Sequence, residues 1–176
     1  MKIRNMVLCG MFSALLCVCA WLSFPLGDTA ITLQTFGVFL SLGTLGGRRG
    51  TAAIGVYLLL GAVGLPVFSG FRGGLGTLLG TTGGYLTGFL LTGLLYWAAT
   101  ALWGERRTVQ LTALILGLLL CYLFGSVWFR HIYLAEGGSV TWGFILVKCV
   151  LPYLLPDGAK LFLAFALAKK LRPFVY

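Results

Sequence analysis

Charge in this chain is confined to a few short clusters, and the long runs between them decide what it can fold into. Residues 5–27, 29–47, 50–71, 73–104 and 108–129 contain no Asp, Glu, Lys or Arg. Each run is long enough to cross a hydrocarbon core ~30 Å thick, which takes about 20 helical residues. A sixth region, 137–168, is also largely apolar but holds Lys148, Asp157 and Lys160, with Pro152 and Pro156 among them. It reads as one more crossing with a broken entry. The expectation is an all-α membrane protein with six transmembrane helices, forming a single integral membrane domain over residues 1–176.

The formal charge of +9 would suggest nucleic acid in a soluble protein, but here the cations follow membrane topology. With the N-terminus in the cytoplasm, Lys2, Arg4, Arg48, Arg49, Arg106, Arg107, Lys169, Lys170 and Arg172 fall on the cytoplasmic side. Only Arg72 and Arg130 fall outside. Six crossings obey the positive-inside rule and leave both termini cytoplasmic, whereas five or seven would mix the charges. The expected surroundings are lipid and not nucleic acid, in a multi-pass membrane protein. A basic start followed by an apolar stretch also suits a signal peptide. No small-x-small cleavage site follows, however: the exit reads Trp21-Leu22-Ser23-Phe24-Pro25. An uncleaved first helix is expected.

Catalytic patterns are missing from the sequence. There is no metal-ligand cluster, no nucleophile beside a base and no pair of carboxylates in one span. His131 stands alone, and the five cysteines contain no C-x-x-C; Cys9, Cys17 and Cys19 on the first helix read as small apolar residues. The glycine spacing Gly74-x-Gly76-x-x-x-Gly80 matches neither a dinucleotide loop nor a P-loop. With no ATPase motif and no room for a nucleotide-hydrolysing domain, an ATP-driven role needs a partner.

Glycine accounts for 26 of the 176 residues, about twice the usual share of ~7%. Gly80, Gly84 and Gly88 recur every fourth residue and predict a face of close helix packing on the fourth span. The glycines upstream, from Gly64 to Gly76, predict a re-entrant or lid-like outer loop between spans 3 and 4, tolerated at membrane depth only against protein or a cavity. The first outer connection has a turn signal, Pro25-Leu26-Gly27-Asp28, and then an alternating segment with polar groups at the mouth of the second span. Near the end, Pro156 is expected in the first turn of the last helix, with Asp157 and Lys160 at i and i+3 on one side of it. Two readings are open. The charges pair and snorkel to the interface, or they face a small polar ligand together with Arg72 on the neighbouring loop.

Ile31-Thr32-Leu33-Gln34-Thr35-Phe36, Gly64-Leu65-Pro66-Val67-Phe68-Ser69-Gly70-Phe71 with Gly73-Gly74 and Gly76, Thr82-Gly83-Gly84-Tyr85, and Asp157-Gly158-Ala159-Lys160 occur in this order along the chain. In this combination the sequence resembles the BioY family, the biotin-binding membrane subunit (S component) of energy-coupling factor (ECF) transporters. Thr81 departs from the family, which usually carries Pro there. The resemblance implies high-affinity capture of extracellular biotin, with uptake driven by a transmembrane coupling subunit (T component) and two ATP-binding subunits. No cofactor and no enzymatic activity are implied.

On this reading Asp157 accepts from the ureido N–H groups of biotin and Lys160 donates to its carbonyl. Phe36, Phe68, Phe71 and Tyr85 are candidate walls, Thr32 and Gln34 supply polar contacts, and Gly83 belongs to the site through the Thr82–Tyr85 motif. The biotin carboxylate would meet Arg72, Lys148 or backbone N–H groups of the glycine loop. On the first helix Gly10, Ser13, Ala14 and Cys17, with Cys9, form a small-residue stripe that is expected to dock the coupling subunit or to pack internally. The alternative function is a self-sufficient secondary transporter for a small carboxylate or vitamin. Against it stand the scarcity of acidic groups for ion coupling, Asp157 with Asp28 near the outer surface, and the lack of internal symmetry.

Overall fold

The first apolar run folds as helix α1 (Ile3–Trp21) and stops before Pro25. The computed structural model describes residues 3–26 and 29–175, with no side chains described at 25, 26, 29 and 30; Lys2, Gly27 and Asp28 lie outside the described residues. The second run does not cross as one helix. Its alternating start, strand β2 (Thr29–Thr32), pairs antiparallel with β1 (Ser23–Leu26), with Ser23 opposite Thr32 and Phe24 opposite Ile31. The expectation of an all-α chain is corrected to this extent, because a period-two pattern suits a strand and not a helix face.

Helix α2 (Gln34–Leu45) follows, with all but two of its residues buried. At 1.5 Å per residue it rises about 18 Å, less than a hydrocarbon core. It reverses into α3 (Gly47–Ala62) at Gly46, whose φ of 78° lies in the left-handed region open to glycine. The third charge-free run extends to residue 71, whereas α3 ends at Ala62. The next 20 residues form an irregular connection with a 3₁₀ turn (Ser69–Phe71) and one short helix, α4 (Leu75–Leu79).

Helices α5 (Gly83–Trp103) and α6 (Arg107–Ala135) form the closest pair in the fold. Their seam is built from small residues. A Cβ on Gly84 would overlap Trp128, one on Gly88 would press on Cys121, one on Gly117 on Thr92, and one on Gly125 on the Tyr85 ring. The Thr92 hydroxyl adds a cross-helix bond to the Gly117 carbonyl at 2.8 Å. Gly84 and Gly88 thus lie on the expected packing face. Gly80 does not: it precedes α5, and its carbonyl accepts from Trp128 Nε1 at 3.0 Å.

The last helical stretch runs continuously as α7 (Trp142–Ile145), a π-turn (Leu146–Val150) and α8 (Leu151–Val175). Pro156 therefore sits inside α8 and does not open it. Proline removes an N–H and collides with the carbonyl four residues back. The wide turn upstream, in which the Leu151 N–H reaches the Leu146 carbonyl, is the local adjustment at Pro152, because the carbonyl four residues before Pro152 is that of Lys148 inside this turn.

Among the described residues, four stretches are long and apolar enough to cross a membrane: Ile3–Trp21, Gly83–Trp103, Arg107–Ala135 and Trp142–Val175. The buried core between them includes Leu16, Leu42, Ile54, Tyr57, Phe68, Tyr96, Leu114 and Leu161. Arg4, Arg49 and Arg172 gather at one pole. Arg4 donates to the Val175 carbonyl at 3.0 Å, Arg49 to Asn5 Oδ1 at 3.3 Å, and Arg172 pairs with Glu105 at 2.9 Å. These contacts join the starts of α1 and α3, the α5–α6 connection and the end of α8. The β-hairpin and the long connection lie toward the other pole.

Candidate ligand-binding site

The Gly-rich connection is anchored by its aromatic side chain. Phe68 is 1% exposed, stands over the backbone of Gly61 and meets Tyr57 edge-to-face at 5.5 Å between ring centroids. Its N–H donates to the Arg72 carbonyl at 2.9 Å, closing a small loop over the 3₁₀ turn. The loop tip, Gly70 and Phe71, has positive φ at both residues, and the Phe71 ring lies outside, stacked on Trp21 at 5.3 Å. The connection therefore plugs one end of the bundle and leaves a cavity beneath it.

This cavity has a volume of about 540 Å³, within the usual range for a small-molecule site. Thr32, Gln34 and Thr35 contribute from the hairpin and the start of α2. Phe68, Ser69, Arg72, Thr81 and Thr82 come from the connection, and Tyr85, Leu86 and Phe89 from α5. Leu118, Cys121, Tyr122 and Phe129 of α6 form the opposite wall with Cys149, Tyr153, Asp157 and Lys160 of the last helical stretch. Polar groups come from the hairpin, α2, the connection and α8, while α5 and α6 offer chiefly apolar and aromatic surface.

Asp157 and Lys160 are buried, at 3% and 9% exposure, and paired at 2.8 Å. The i, i+3 spacing brings them to one face of α8, as expected, but neither snorkels to an interface. Burying ions this deeply is tolerable only when pairing and hydrogen bonds replace water. Lys160 Nζ also donates to the Thr32 carbonyl at 2.7 Å, Thr35 Oγ1 donates to Asp157 Oδ1 at 2.9 Å, and Tyr122 Oη donates to Asp157 Oδ2 at 2.7 Å. Gln34 is held in turn by Tyr57, to which its Nε2 donates at 2.7 Å, and by Thr32 Oγ1, which donates to Gln34 Oε1 at 3.1 Å. The result is a preorganised anionic acceptor beside a cationic donor, both open to an otherwise largely apolar cavity.

Of the expected site residues, the structure brings Thr32, Gln34, Phe68, Arg72, Tyr85, Asp157 and Lys160 to the cavity lining. Phe36, Phe71 and Gly83 are not among the lining residues. Phe36 packs against the core, Phe71 is 65% exposed, and Gly83 lies so close to the Leu78 carbonyl that a side chain would strike it. Lys148 is exposed on the π-turn and does not line the cavity. Sequence reasoning missed Thr35, Tyr122, Phe89 and Tyr153. The usable signal was Tyr122, whose hydroxyl falls deep in a charge-free run where it must find a partner.

The small-residue stripe of α1 divides in two. Gly10 and Ala14 are exposed, while Ser13 and Cys17 are buried, with Ser13 Oγ donating to the Ala53 carbonyl at 2.7 Å. Successive helical residues turn by about 100°, so residues three and four apart flank a line and need not share a partner. The free face is thus narrower than the stripe, and Ser13 and Cys17 belong to internal packing.

A family model described as the BioY family matches residues 1–176. The "Probable biotin transporter BioY" of Pyrococcus horikoshii is 38% identical over 173 residues, covering 98% of each chain. The "Biotin transporter BioY2" of Lactococcus lactis is 32% identical over 90% of this chain and 85% of that protein. For the "Biotin transporter BioY" of Thermotoga maritima the identity is 54% over 88 residues, which spans 50% of this chain and 52% of that protein. Among solved structures, the S-component for biotin from an ECF-type ABC transporter superposes with a TM-score of 0.83 at 25% identity, over 98% of this chain and 92% of that one.

Proposed function

The chain belongs to the BioY family, and on that premise we propose that it captures extracellular biotin as the S component of an ECF-type transporter. The observation that carries this reading is the buried Asp157–Lys160 pair facing a 540 Å³ cavity. Biotin's ureido ring presents N–H donors beside a carbonyl acceptor. A carboxylate and an ammonium three residues apart match that edge with charge-assisted hydrogen bonds. The bicyclic body and tail fit the wall of Phe89, Leu118, Phe129 and Tyr85, and the carboxylate points toward Arg72 on the connection.

Six crossings complete the picture: α1, α2, α3, α5, α6 and the stretch from Trp142 to Val175. The basic pole lies in the cytoplasm with both termini, and the hairpin and Gly-rich connection face outside. Short α2 is compatible with this because it is surrounded by protein. ATP-driven uptake requires a T component and two ATP-binding subunits, with Gly10 and Ala14 of α1 as the docking face for the T component. The protein resides as a multi-pass component of the plasma membrane.

The test is calorimetry of biotin with the purified protein in detergent, alongside Asp157→Ala and Lys160→Ala. Stoichiometric tight binding by the wild type, lost in both variants, is expected. Absence of binding by folded wild-type protein overturns the proposal.

A further inference from the structure

Asp157 is gripped from three helices: Lys160 on its own helix α8, Thr35 on α2 and Tyr122 on α6. The two bonds from other helices do not neutralise its charge. They fix the plane of the carboxylate and determine which lone pairs remain open. An ionised carboxylate has about four acceptor sites. Lys160 and Thr35 both use Oδ1, and Tyr122 uses one side of Oδ2. Among the described residues, one acceptor direction therefore stays available on Oδ2. The ammonium of Lys160 has three N–H donors; Asp157 and the Thr32 carbonyl take two, leaving one.

We infer that Tyr122 and Thr35 are positioning residues of the ligand site, holding the Asp157 carboxylate so that one Oδ2 lone pair and one Lys160 N–H present a fixed acceptor–donor edge to a cyclic urea or amide. This deepens the biotin reading and rests on it. The placement of the two residues supports the assignment. Tyr122 and Asp157 both line the cavity, and their bond spans its wall between α6 and α8, helices that otherwise pack mainly on α5 and α2 respectively. Without these two donors only Lys160 holds the carboxylate, and χ2, a soft torsion for Asp, is less constrained. Its open lone pair would then be aimed in many directions, and the ligand would have to order it on binding.

The experiment compares biotin affinity by displacement calorimetry for wild type, Tyr122→Phe, Thr35→Val and Thr35→Ser, with ligand-free melting temperatures measured in parallel. Tyr122→Phe and Thr35→Val each keep the shape of the side chain and remove a hydroxyl. Each should weaken biotin roughly tenfold or more. Thr35→Ser restores the hydroxyl and should stay within about twofold of wild type, a rescue that a packing role does not give. If Tyr122→Phe does not fold, the Thr35 pair decides the matter. Full affinity in Thr35→Val, or equal weakening in Thr35→Ser and Thr35→Val, overturns the inference while biotin binding by wild type still stands. Failure of wild type to bind biotin overturns the biotin reading itself and this inference with it.

Discussion

Phe68 sits on Gly61 so closely that a Cβ at residue 61 would collide with the Cζ tip of the aromatic ring. Gly61 is near the end of α3 and Phe68 begins the turn over the cavity, so a single contact sets how deeply the Gly-rich connection seats in the bundle. The Gly61 carbonyl also accepts from the Gly74 N–H at 2.7 Å, which ties the far side of the same connection to α3.

Gly61→Ala should therefore lift Phe68 and loosen the lid. Overpacking a well-filled core typically costs about 1–3 kcal/mol. A lower melting temperature together with faster biotin release is expected in stopped-flow and thermal measurements. Unchanged release would show that the connection does not govern access.

The α5–α6 seam makes a separate prediction. Gly88→Leu places a large side chain against Cys121, and Gly84→Leu does so against Trp128. Both should destabilise the folded protein by about 1–3 kcal/mol or more, because the helices must separate. Gly55→Leu, on a helix face with open space around it, is the control and should melt near wild type.

For the buried ion pair, removing one partner should be worse for folding than removing both. Lys160→Met leaves Asp157 charged and buried, and Asp157→Asn does the same to Lys160; each should cost about 3–5 kcal/mol. The double variant Asp157→Asn with Lys160→Met should recover part of this stability while still failing to bind biotin. Melting curves and binding isotherms on the three proteins distinguish a pair kept for recognition from one kept for the fold.

The exposed half of the α1 stripe predicts a split between capture and transport. Gly10→Leu and Ala14→Leu project from an exposed face, with no described residue within 4 Å of a Cβ at Gly10. Biotin binding should persist, while ATP-driven uptake with the T component and ATPases should fall at least tenfold. Ser13→Leu, which intrudes on the Ala53 carbonyl, should instead lose binding and fold together.

Much of the site was legible before the fold. Asp157 and Lys160 were recognisable because isolated charges in an apolar span are expensive and three residues bring them to one helix face. Phe68 and Arg72 stood out because an irregular glycine-rich stretch cannot be plain spanning helix. Phe36 and Phe71 misled for the opposite reason: aromatic rings beside a motif face core or solvent as readily as a cavity, and the packing of α2 decides this for Phe36 while the turn at Gly70 and Phe71 decides it for Phe71.

The sequence by itself determined the apolar spans, the bias of cations toward one pole, the charged pair on one helix face and the small-residue faces of close packing. These depend on local composition and on the 3.6-residue period, which any chain carries in its own order of residues. Only the tertiary structure decided that α2 is short and surrounded by protein, that Ser13 and Cys17 turn inward while Gly10 and Ala14 stay free, and that Tyr122 and Thr35 reach Asp157. Those outcomes depend on which helices become neighbours: residues 35 and 157 are 122 positions apart in the chain, and only packing places their side chains within hydrogen-bond distance.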